Sequence, residues 1–210
     1  MTPPDNAAGR GRFPGFDVLG QRRHWDDQTA TVVLARLLPI TGMSFFTPEE
    51  EAIGGVLVDQ LLDLRGDTTV PVLQMIDQRL NADETDGWHY EDMPQDRQAW
   101  RDSLAYLDAD ARSLFERGIA ECSARQQAAL IQRVQDLGSR RWHGLTASRV
   151  WSLWTRYACT AFYSHPQAWN EIGFSGPAYP RGYKNPGVDA REPFEAPDVA
   201  PSDDPLRRRP

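Results

Sequence analysis

The residues of this chain best suited to proton transfer are His165 and Glu171. They stand in the stretch Phe162 to Tyr183, FYSHPQAWNEIGFSGPAYPRGY. A histidine and a carboxylate at close range can divide acid and base roles on a bound small molecule. The same pair has a structural reading. A His before Pro, as in Ser164-His165-Pro166, marks a helix end, and Asn170 or Glu171 can cap backbone groups in a turn. The other histidines, His24, His89 and His143, are dispersed and form no HxxxH or HxH spacing, so a zinc site has no local support. Cys122 and Cys159 cannot hold a metal alone; both fall in stretches that read as helix and are expected as buried thiols, not a disulfide. The patterns GxGxxG, GxxxxGK[ST] and GxSxG are absent, which leaves a nucleotide cradle and a nucleophile elbow without support. The chain is expected to carry no metal and no cofactor of its own.

The stretch that holds His165 and Glu171 also holds Trp169, Phe174, Tyr179, Arg181 and Tyr183, punctuated by Gly173, Gly176, Pro177 and Pro180. An irregular segment exposes backbone donors and acceptors, and aromatic rings left in water gain nothing, so this segment needs a surface to lie on. That surface is either the chain's own body, making the segment a terminal wrap, or another protein.

At 210 residues with 40% hydrophobic content the chain can bury a core as one domain. Its 30 acidic against 23 basic residues give a net charge of -7, which argues against a nucleic-acid binder. The Arg run at 207–209 is too short to reverse this. Residues 1–16 are polar and rich in Pro and Gly where a signal peptide needs an apolar run, and Arg22-Arg23 is followed at once by HWDDQ, so no usable twin-arginine leader is read. The most apolar window, 31–46, contains Arg36 and Pro39 and falls short of the roughly 20 residues of a membrane span. The protein is expected to be soluble and cytoplasmic.

Helical signals dominate. Asp26 and Asp27 precede VVLARLL, with Pro39 and Gly42 as its stop. Thr47-Pro48-Glu49-Glu50 is a capping box ahead of Ile53, Val56, Leu57, Leu61 and Leu64, and the Gly54-Gly55 pair inside points to weakness or to close helix contact. After the turn RGDTT (65–69), Pro71 opens a helix with Val72, Leu73, Ile76 and Leu80. Residues 81–96 read as loop. Ala99, Trp100, Leu104 and Leu107 belong to a helix from Pro94, and Asp108 is expected to cap a further one carrying Leu114, Phe115 and Ile119. Ser123 and Gln126 form another capping box, with Gly138 as the stop. The last helix begins at Thr146, and its apolar arc of about half the circumference is wider than the roughly 100° of a surface helix, as suits a central helix or one that also meets a partner. No stretch alternates at period two. The expected fold is all-α: an irregular bundle of about six to seven helices over residues 25–195, an extended N-terminal segment over 1–24, a Gly/Pro/aromatic C-terminal wrap, and a disordered tail over 196–210.

FFTPEE at 45–50, DGWHYEDMP at 86–94, Ala99-Trp100 and above all FYSHPQAWNEIGFSGPAYPRGY at 162–183 resemble the small subunit (subunit 3, or gamma) of gluconate 2-dehydrogenase-type complexes. FPGFDVL near the start and AREPFE at 190–195 resemble a branch without an export leader. The resemblance implies a helical, non-catalytic subunit bound to a large FAD-dependent dehydrogenase of the glucose-methanol-choline class, in which the partner's flavin oxidises a sugar or polyol alcohol. The resemblance leaves open whether a cytochrome c subunit joins the complex. Relatives with a twin-arginine leader help export the large subunit; this chain departs from them, which favours a stabilising role. A dissociable escort for the flavoprotein and a free-standing enzyme using His165 and Glu171 are the alternatives. The likeness is densest in the segment 162–183, and interface anchors are enriched in Trp, Tyr and Arg. Trp169, Phe174, Tyr179 and Tyr183 are therefore the expected anchors and Gly173, Gly176 and Pro177 shape the backbone. Arg181, His165, Asn170 and Glu171 complete the expected partner-binding set.

Overall fold

The computed structural model describes residues 13, 15–64, 69–188 and 190–197. The turn at 65–68, most of the N-terminal lead-in, and the tail from 198 lie outside the described residues. Those described form seven α-helices, two short 3-10 helices and one two-residue β-hairpin. They fall into two compact units: a terminal unit built from residues up to Pro39 and from Tyr163 onward, and a middle unit, Ile40–Phe162.

In the middle unit, α2 (Pro48–Leu62) starts as its sequence dictates. Thr47 and Glu50 each accept a hydrogen bond from the other's backbone N–H. The approach to this helix is fixed by two charges distant in sequence. The buried Asp77 of α3 (Val72–Asn81) accepts hydrogen bonds from the N–H groups of Ser44, Phe45 and Phe46 at 2.7, 2.9 and 2.8 Å. Arg101 of α4 (Asp96–Phe115) grips both Glu50 oxygens at 2.8 Å, donates to the Phe45 carbonyl and stacks on the Phe45 ring. The sequence FFTPEE is thus a helix entry held by its own chain.

Helix α2 packs against α3, α4, α5 (Ala124–Leu137) and the 3-10 helix Ile119–Glu121. Gly54 permits the close approach to α3, since a Cβ there would stand 2.9 Å from Leu73 Cδ1; Gly55 faces open space. The last long helix, α6 (Ala147–Ser164), enters the same core through large side chains: Trp154 and Tyr157 pack with Trp100, Leu104 and Leu107. Its wide apolar arc is buried at Ala147, Val150, Leu153, Trp154, Tyr157, Ala158 and Ala161. Trp154 Nε1 donates to Ser103 Oγ at 2.9 Å, so the polar tip of this buried ring is satisfied.

Three local expectations are corrected. Asp108 starts no new helix; α4 runs through it, and its carboxylate pairs with Arg112 and accepts the Ile119 N–H at 2.8 Å. The segment before α6 forms a hairpin, Arg141–Trp142 with Leu145–Thr146, turning on His143 and Gly144, both at positive φ. Cys122 is buried, but at the end of the 3-10 helix, and Cys159 is exposed on α6; both are free thiols.

The terminal unit has its own small core of Phe16, Val18, Trp25, Ala30, Val33 and Trp169. Part of the lead-in expected to be extended is the 3-10 helix Val18–His24, begun by Asp17, whose side chain accepts the Leu19 N–H. Asp26 caps α1 (Asp27–Ala35) by accepting the Thr29 N–H at 2.8 Å, and α1 ends before Pro39. The chain after Ser164, expected to be irregular, instead forms a two-turn helix, α7 (Pro166–Ile172). Its start is local chemistry: His165 Nδ1 accepts the Gln167 N–H at 3.3 Å and Pro166 takes the first helical position. No helix among the described residues is long and apolar enough to cross a membrane.

Candidate functional site

The terminal unit joins segments that are far apart in sequence. The Val18 N–H donates to Asn170 Oδ1 at 2.8 Å, joining the first 3-10 helix to α7 across 152 residues. Trp169, only 4% exposed, sits in the small core and donates its Nε1 proton to the Tyr163 carbonyl at 2.7 Å. Arg36 donates to the Ser164 carbonyl at 2.8 Å and its guanidinium lies 5.7 Å from the centre of the Trp169 ring. Gly176 shows how tightly the segment is laid down: it is at φ +77°, and a Cβ there would stand 2.5 Å from Trp25 Cζ2.

Six of the residues expected to bind a partner separate into two sets, while Glu171 and Arg181 are half-buried. His165, Trp169 and Asn170 are buried and engaged within the chain, which leaves them no surface to present. Burial holds the His165 pKa below its ordinary value near 6.5; its bond to the Arg36 backbone opposes this and the Arg36 charge adds to it. With Nδ1 committed to the α7 backbone, this ring serves as a helix cap, and that placement does not suit the acid/base role with Glu171. Phe174, Tyr179 and Tyr183 are 41%, 67% and 61% exposed. Phe174 is also fixed from behind, edge to face with Trp169 at 5.1 Å.

Tyr179 and Pro177 form one side of an open groove of about 370 Å³, with Val32 and Val33 of α1 on its walls and Asp26 and Arg36 on its rim. Val32 is exposed. Neither Val32 nor Arg36 belongs to the set expected from sequence, because only the fold brings α1 beside a segment some 145 residues later. Further along, Arg181 stacks 3.6 Å from the centre of the buried Phe194 ring and donates to the Ser175 carbonyl at 3.3 Å. Burial lowers its pKa, while the nearby Tyr183 opposes the shift. Tyr183 packs against Phe194 on an inclined plane at 5.5 Å, and Glu192 accepts the Lys184 N–H. The closing AREPFE therefore braces the end of the segment and leaves the Tyr179 and Tyr183 rings outward.

This arrangement is suited to holding another surface. An exposed Tyr beside a groove with apolar walls has the composition of an interface anchor. Among the described residues no group of three or more His, Cys, Asp or Glu is placed to hold a metal ion.

No curated protein and no solved structure matches the chain. The family model for gluconate 2-dehydrogenase subunit 3 matches residues 48–176, more than half of the sequence, and takes in α2 to α7 with the start of the exposed segment. The chain belongs to the gluconate 2-dehydrogenase subunit 3 family.

Proposed function

We propose that this chain is a non-catalytic small subunit that binds and stabilises an FAD-dependent sugar or polyol dehydrogenase of the glucose-methanol-choline class. The observation that carries the reading is the family match itself. The groove beside Tyr179 supports it by offering exposed apolar contact area. The flavin belongs to the partner, and so does the base that takes the substrate's hydroxyl proton. This chain's residues contribute surface: Val32, Pro177 and Tyr179 exclude water from the contact, and Arg36 offers a charge at its edge. In this reading the complex works in the cytoplasm, and a cytochrome c subunit that co-purifies with it would be a third member.

The test is co-expression with a flavin-dependent dehydrogenase encoded beside this chain. The two are expected to co-purify in fixed ratio, with all flavin on the large chain. Failure to associate, or stoichiometric flavin with dehydrogenase activity in the small chain alone, would overturn the reading.

A further inference from the structure

The middle unit carries an aromatic surface that the reading above does not use. In the loop between α3 and α4, Trp88 and Tyr90 remain 50% and 38% exposed. Their rings meet edge to face, 5.3 Å apart at 90°. Each is backed by a guanidinium of α6: Arg156 lies 5.1 Å from the Trp88 centroid and Arg149 4.5 Å from that of Tyr90.

The loop's own carboxylates hold it down. Asp86 pairs with Arg79 and Arg156, and Arg156 also reaches the buried Asp96 at 3.2 Å. Asp92 pairs with Arg149 and accepts the Thr146 hydroxyl at 2.9 Å. The space left between loop and helices is about 10 Å³, room for one water at most. Two large rings are thus held outward by a network that consumes charge on the inner side. Rings fixed in advance lose little freedom on binding, so the energetic case for an anchor is good.

Charge selects the occupant. The inner arginines are matched by Asp86, Asp92 and Asp96. In the same loop Asp83, Glu84 and Glu91 are exposed, and among the described residues none of them is in an ion pair. Exposed aromatic surface in a loop that also carries three such carboxylates favours cations over anions. We propose that this loop is a docking surface for a basic segment of a protein partner, with an Arg or Lys side chain laid on the Trp88–Tyr90 pair and its charge met by Glu84 and Glu91. The proposal does not depend on which enzyme the chain serves.

The test is calorimetric titration of the full chain with a capped arginine-serine repeat peptide and with its glutamate-serine counterpart. The arginine peptide is expected to bind about tenfold or more tighter than the glutamate one, and more weakly as salt rises. Trp88→Ala is expected to weaken it about fivefold. Because Trp88 also covers Arg156, thermal melts accompany the titration. The double variant Glu84→Lys with Glu91→Lys, which touches no ion pair of the network, is expected to lose the preference while staying folded. Equal binding of the two peptides, no binding of either, or an arginine-peptide affinity unchanged in the double variant would overturn the proposal. So would sedimentation showing that wild type self-associates through this loop and that Trp88→Ala disperses it, since the occupant would then be a second copy of the chain.

Discussion

At the scale of single residues, His165 carries a consequence for pH. Its folded pKa lies below the ordinary value near 6.5 because burial disfavours the charged ring. Below that value the unfolded chain binds a proton that the folded chain resists, so unfolding gains from acid. The contribution of this residue is complete above about pH 6.5 and is lost as the pH falls toward the folded pKa, with a slope of at most about 1.4 kcal/mol per pH unit. His165→Asn keeps a cap acceptor ahead of Pro166 and removes the titration. Urea unfolding of both proteins at pH 7.5 and pH 5 is expected to show a smaller acid loss in the variant. An identical loss would mean that His165 is not held neutral.

At the scale of elements, Gly176 decides how the segment after α7 lies. Gly176→Ala places a methyl group in contact with Trp25 at a backbone angle that side chains rarely adopt. The variant is expected to cost roughly 2 kcal/mol, from a strained φ and a displaced ring together, read as a lower urea midpoint. An unchanged midpoint would mean that the segment moves away without loss. This packing also marks where the sequence stopped being informative. The starts of α2 and α5 were legible because a capping box is a contact between residues three apart, Thr47 with Glu50 and Ser123 with Gln126. The two-turn α7 was not, since a helix of seven residues shows no period that its flanking Pro and Gly do not mask. Asp108 has the residue type of a cap, yet its acceptor role is filled by an N–H eleven residues later. Which aromatics of the segment face inward was illegible for the same reason at longer range. Trp169 is buried by Phe16, Val18 and Trp25, and nothing near Trp169 in sequence announces that.

At the scale of the whole molecule, the described residues make two hydrophobic cores and leave several aromatics, Tyr179 and Tyr183 among them, at the surface. The resemblance read from FYSHPQAWNEIGFSGPAYPRGY is shown at the level of the family, while the roles within the stretch divide: the first half builds the terminal unit and the second presents Tyr179 and Tyr183. Trp169→Ala should therefore cost about 3 to 5 kcal/mol of stability, as buried Trp truncations do. Tyr179→Ala should leave stability almost unchanged. The most direct test of the account is the affinity of the Tyr179→Ala chain for the flavin-dependent dehydrogenase, measured by calorimetry with a thermal melt of the same sample. The account predicts a dissociation constant raised roughly thirtyfold, about 2 kcal/mol, with an unshifted melt. Wild-type affinity in a normally folded Tyr179→Ala chain would contradict it.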